Sequence, residues 1–167
     1  MFRKLIRTDN DYVLTFVRVL LGAVFFAHGA QKMLGWFGGN GFEGTMGFFT
    51  QKLGIPAVFA FLAIAAEFFG SLGLISGLLT RIAAFGIACN MVVAVAMIHA
   101  RNGFFMNWTG GQRGEGIEYH LLVLALTVLL LAKGAGALSL DGLLGRERES
   151  HGTRSNEIAY DRYRKVA

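Results

Sequence analysis

Four stretches of this chain, at about residues 12–34, 57–79, 82–100 and 117–138, approach or reach the roughly 20 apolar residues needed to cross a hydrocarbon core. Backbone amides in lipid must be satisfied inside their own segment, so each stretch is read as a helix. Only Thr80 and Arg81 separate the second and third stretches, which makes those helices antiparallel neighbours. The expected fold is all-α, an integral membrane four-helix bundle. Composition agrees with it: 54% of the 167 residues are apolar or aromatic against 16% charged, too apolar for a soluble domain of this size. The first stretch carries Arg18, His28 and Lys32 and lacks a short apolar run followed by a small-residue cleavage site, so it reads as a permanent span. Residues 1–141 then form one membrane domain, and residues 142–167 a polar, basic tail.

The positive charge sets orientation. Arg3, Lys4, Arg7, Arg81, Lys133 and the tail's Arg146, Arg148, Arg154, Arg162, Arg164 and Lys165 fall on the side that holds both ends of the chain, whereas the opposite loops hold only Lys52, Arg101 and Arg113, with Lys32 at the boundary. The positive-inside rule therefore places both termini in the cytoplasm. A net charge of +5 scattered around apolar spans presents no continuous basic face, so no nucleic-acid partner is expected. In the first outer loop Phe42, Met46, Phe49 and Leu53 recur at helical spacing, which predicts a short amphipathic helix on the outer membrane surface. The second, from Arg101 to Gly116, carries Phe104, Phe105 and Trp108 as interfacial anchors.

Small residues mark where the helices approach closely. Ala63, Ala66, Gly70, Gly73 and Gly77 form a seam on the second span, Ala83, Gly86, Asn90 and Ala94 on the third, and Gly22 and Gly29 share a face of the first with Arg18 and Lys32. The ionisable residues at membrane depth are costly there and are the functional candidates. At 1.5 Å per residue from the cytoplasmic helix ends, Arg18 lies at about 9 Å, Glu67 at about 18 Å and His28 at about 24 Å. His99, His120, Lys32 and Glu118 cluster at about 26–30 Å, near the outer surface. Glu67 is isolated mid-span, with Arg18 from below and His28 or Lys32 from above as available partners. Its carboxyl is either half of a structural ion pair or a group that carries a proton or binds a ligand. The outer layer of histidines suits a quinone head group. No metal site is assigned, because the three histidines come from three helices and Glu118 and His120 point about 200° apart on an ideal helix; a metal at the outer histidines is kept as a further option. Arg81 and Asp141, on one membrane face, are expected to pair. The single cysteine, Cys89, allows no intrachain disulfide, dithiol or cysteine-ligated cluster, so redox chemistry must be borrowed.

Arg18, Gly22 and the run His28-Gly29-Ala30-Gln31-Lys32, then Leu53-Gly54-Ile55-Pro56 before a span carrying Glu67, Gly70, Gly73 and Gly77, then Leu79-Thr80-Arg81, Glu118-Tyr119 and the Ser139-Leu140-Asp141 ending, resemble the DoxX family of small four-helix bacterial membrane proteins. The resemblance spans about Val13 to Asp141. It implies a multi-pass protein of the bacterial inner membrane, similar to the membrane component of a quinone-linked oxidoreductase system handling sulfur, thiol or oxidative-stress chemistry. On that reading Glu67 and Arg18 are the catalytic candidates, His28 and Lys32 bind or protonate a quinone, and His99, Glu118 and His120 line the outer mouth. The partners implied are the lipid bilayer, a redox protein or subunit, and further copies of the chain. Whether the chain is itself an enzyme stays open. The alternative is a non-catalytic membrane scaffold or assembly factor whose buried charges lock the bundle.

Overall fold

The structure, a computed structural model, describes residues 2–145, and the regular elements among them are all helical. The predicted tail therefore lies, beyond residue 145, outside the described residues. A short helix α1 (Phe2–Ile6) leads to α2 (Tyr12–Leu34), which begins where the Asp11 carboxylate accepts the Val13 amide at 2.7 Å and the Leu14 amide at 3.3 Å. One tight turn (Trp36–Gly38) follows, and then α3 (Gly41–Gly47) continues into a single wider turn (Phe48–Lys52). This segment occupies the place of the expected amphipathic helix; Phe42 meets Phe61 edge to face at 6.3 Å.

Helix α4 (Ala57–Ser76) starts after Pro56 and stops at Gly77, three residues before the expected end, because Gly77 takes the left-handed conformation at φ 70°. Helix α5 (Thr80–Ala94) runs on through Asn102 in wider and tighter turns. Among the described residues, Tyr12–Leu34, Ala57–Ser76 and Thr80–Asn102 are the three helices long and apolar enough to cross a membrane. The fourth helix is shorter than expected. α6 (Glu118–Lys133) has 16 residues, about 24 Å, and ends at Gly134, whose φ of 89° breaks the helix five residues early. Any Cβ on Gly134 would stand 2.6 Å from the Arg7 carbonyl oxygen, so the chain must be glycine where it turns back under α2.

α2 packs along α4, α4 on α5, α5 on α6, and α6 returns to α2. Their shared core is Leu21, Phe25, Leu74, Ala84, Ile87, Met91, Val123 and Leu130. The outside is apolar too: Phe16, Phe59, Phe69, Phe85 and Leu122 are all more than half exposed, which in water would be an aggregation surface and in lipid is the solvated face. This is a membrane protein. The start of α2, the α4–α5 turn and the end of α6 meet at one end, tied by Asp9 to Lys133, Ala137 to Asp11 and Asp141 to Gly77 backbone bonds. Loops 35–56 and 103–117 lie at the other.

Candidate functional site

Two side chains define the centre of the site. Lys32 Nζ stands 2.6 Å from Glu67 Oε2, joining the C-terminal part of α2 to the middle of α4. Helical side chains lean toward their own N-terminus, and α2 and α4 run in opposite directions, so Lys32 leans inward and Glu67 outward until they meet. The backbones are close enough for this because of Gly29: a Cβ there would fall 2.7 Å from Phe68 Cα and 2.9 Å from the Glu67 carbonyl carbon. Glu67 is buried at 7% exposure, while the Lys32 side chain keeps 26%. The pair is thus closed on the carboxylate side and approachable on the ammonium side.

His28, one turn before Lys32, lies within electrostatic reach of both members of the pair. Its ring is 6.4 Å from that of Tyr119 in the first turn of α6 and 6.3 Å from Phe25. Tyr119 is itself within electrostatic reach of Glu67. Three helices therefore converge here: α2 gives His28 and Lys32, α4 gives Glu67, and α6 gives Tyr119. Sequence reasoning missed Tyr119, because a tyrosine at the mouth of a span is usually an interfacial anchor. Its hydroxyl is buried and has no hydrogen-bond partner among the described residues, and the same holds for His120 Nδ1.

The outer histidines divide. His99 and His120 stack at 4.1 Å between ring centroids. His99 Nδ1 lies 2.8 Å from the Glu115 carbonyl oxygen, which only accepts, so Nδ1 carries the proton. Glu118 does not turn toward them: its Oε1 accepts from the Met106 amide at 3.1 Å and the Trp108 indole at 3.2 Å, fastening loop 103–117 to α6. Among the described residues no three His, Cys, Asp or Glu side chains gather as a metal ion would require.

Arg18 is placed apart from this cluster. It is 1% exposed and serves the opposite end of the helices. Its Nε donates to Ala135 O at 2.7 Å, Nη1 to Leu74 O and to Ile75 O at 2.9 Å, and Nη2 to Leu138 O at 2.6 Å. Leu74 is seven residues beyond Glu67, about 10 Å along α4, so the expected approach of Arg18 to Glu67 from below does not occur. The guanidinium instead binds carbonyls at the end of α4 and in the turn after α6. Gly77 makes room for it, since a Cβ there would lie 2.9 Å from Arg18 Cζ and 2.5 Å from Ser139 Cβ.

The Arg81–Asp141 pairing expected from sequence is also replaced. Asp141, 1% exposed, accepts the Leu79 amide at 2.8 Å and the Thr80 amide at 2.9 Å, capping α5. Leu79 sits at φ 50°, a left-handed conformation costing a leucine about 1–2 kcal/mol, which the cap offsets. Arg81 donates to the Leu131 and Arg7 carbonyls.

The model of the DoxX family matches residues 13–100, which include Arg18, His28, Lys32 and Glu67 and stop before α6. "Putative oxidoreductase CatD" of Bacillus subtilis is 30% identical over 125 residues, 75% of this chain and 81% of that protein. An uncharacterized protein of Haemophilus influenzae is 34% identical over 139 residues, 79% of this chain and 90% of that one. Inner membrane protein YqjF of Escherichia coli is 27% identical over 138 residues, 83% and 96% of the two chains. No solved structure matches. With the family match extending over just over half the chain and relatives aligned along most of their length, this chain belongs to the DoxX family.

Proposed function

We propose that this chain is a four-helix protein of the bacterial inner membrane, with both termini cytoplasmic, that binds a quinone head group as the membrane component of an oxidoreductase system handling sulfur, thiol or oxidative-stress chemistry. The observation that carries the reading is the Lys32–Glu67 pair at membrane depth beside His28. Helices α2 and α4 are already in backbone contact at Gly29, so the pair is not needed to hold them. A buried ion pair is often no more stabilising than apolar residues of its volume, which makes this one costly unless it works. The names of the relatives, an oxidoreductase and an inner membrane protein, agree in kind.

The donor set fits such a head group. Lys32 offers an ammonium with residual exposure and His28 an imidazole, both able to donate to a carbonyl oxygen. Glu67, shielded and within reach of both, is placed to hold or pass a proton. A bound quinone supplies two-electron, two-proton chemistry that Cys89, exposed and alone, does not. Electrons come from a partner redox protein or subunit. His99 and His120 stand at the outer mouth, and Arg18 holds the far end of the bundle.

Arg18 favours a second reading. Its donors are consumed by backbone carbonyls, and a scaffold in which Lys32 and Glu67 are likewise structural needs no ligand. Quinone content separates the two. In protein purified in mild detergent from its native membrane, near-stoichiometric quinone that falls in Glu67→Gln, with melting temperature retained, supports the binding reading. Quinone at the lipid background in both supports the scaffold.

A further inference from the structure

The first turn of α6 presents two buried polar atoms that the rest of the described protein leaves unpaired, the Tyr119 hydroxyl and His120 Nδ1. His120 is 5% exposed, so bulk water does not serve its ring. Buried side-chain polar atoms in folded proteins nearly always have a partner, and an orphan hydroxyl forfeits a bond that it was desolvated to make. His120 packs on His99 in the continuation of α5, whereas the Tyr119 hydroxyl is the orphan on the side of α6 near His28 and Glu67, so it alone marks an unfilled polar position between α6, α2 and α4.

The nearby protein groups do not fill the need. Glu67 is within electrostatic reach of Tyr119, yet its Oε2 is occupied by Lys32 at 2.6 Å. The Tyr119 ring has two aromatic neighbours, His28 at 6.4 Å and His120 edge-on at 5.6 Å, and these contacts engage its π-system and leave the hydroxyl unpaired. A phenylalanine would pack as well at this place without the cost of burying a hydroxyl. Among the described residues, then, the hydroxyl has been desolvated without a bond to show for it.

We propose that Tyr119 is a ligand-binding residue of this site, donating its phenolic proton to an oxygen acceptor of the quinone head group from α6 while Lys32 and His28 approach it from α2. The inference rests on the quinone reading above and adds a third wall to the site. The residues facing the head group then come from all three helices, so that a head group bound there bridges α2 and α6.

The test uses the full chain in nanodiscs of synthetic, quinone-free phosphatidylethanolamine and phosphatidylglycerol, titrated with ubiquinone-1 and read by quenching of the fluorescence of Trp36 and Trp108. Tyr119→Phe is expected to weaken binding about tenfold, the loss of one well-made hydrogen bond. Without ubiquinone-1 the same variant is expected to melt at or above the wild-type temperature, because no internal bond is lost. Wild-type affinity in Tyr119→Phe overturns the role of Tyr119 and leaves the quinone reading standing. A lower melting temperature without ligand also overturns it, since the hydroxyl then has a structural partner. Absence of saturable quenching in the wild type overturns both.

Discussion

Replacing Arg18 by methionine keeps a long, flexible side chain and removes every donor of the clamp. Four hydrogen bonds are lost, to Ala135, Leu74, Ile75 and Leu138, and with them the guanidinium's charge-assisted tie between the end of α4 and the turn after α6. Interhelical hydrogen bonds in membranes are worth about 0.6 kcal/mol on average and about 1.7 at most, so four give about 2.4–7 kcal/mol. Methionine regains part of the burial, leaving an expected net loss of about 3 kcal/mol. For a chain of this length that lowers the melting temperature by about 6–12 °C. Arg18→Lys recovers little, because one ammonium has three donors and cannot spread them over four carbonyls as the planar fork does. The assay is thermal unfolding in detergent followed by helical circular dichroism, with quinone content measured on the folded fraction. Arg18→Met melting within about 2 °C of wild type refutes the clamp. A folded Arg18→Met that loses quinone as Glu67→Gln does would return Arg18 to the site.

Three further outcomes follow from the same geometry. Lys32→Met leaves Glu67 buried without its partner and should cost about 1–3 kcal/mol, while adding Glu67→Gln restores most of the loss; additive losses in the double variant would show that the pair is not coupled. Asp141→Ala removes the cap from Leu79 and Thr80 and should cost about 1–2 kcal/mol, with faster hydrogen exchange confined to the start of α5; unchanged exchange there contradicts the cap. Gly29→Val drives a Cβ into the Phe68 backbone and should abolish the folded yield, whereas a stable Gly29→Val would mean that α2 and α4 do not touch at that level.

The long helices were legible because lipid leaves so few options. α2 begins and ends where its apolar run does, since Asp11 caps one end and Gly35 closes the other. The sequence makes α4 and α6 too long: Gly77 and Gly134 sit inside apolar sequence, and the groups that leave no room for a Cβ there, Arg18, Ser139 and Arg7, lie far away along the chain. For the site, the depth ruler ordered Cα atoms correctly enough to bring Glu67, His28 and Lys32 together as candidates. It failed to choose among partners because side chains depart from their Cα level in a direction set by helix polarity, which lifts Glu67 toward Lys32. In sequence Arg18 is a buried charge in want of a carboxylate, whereas the segment after α6 supplies it with carbonyls, and the path of that segment depends on Gly134. Tyr119 is visible in the sequence only as part of the Glu118-Tyr119 pair that opens the last span, with nothing to set it apart as a binding residue; its buried, unpaired hydroxyl is what distinguishes it.

The central claim is that a quinone sits between α2 and α6 beside Lys32 and Glu67. The most direct measurement is photolabelling of the protein in native membranes with a short-chain azidoquinone, followed by peptide mapping. Labels concentrated on His28 to Lys32 and on the first turn of α6, and displaced by excess ubiquinone-1, are the predicted result. Labels spread over the lipid-facing aromatics Phe16, Phe59, Phe69 and Phe85, and not displaced, would contradict it.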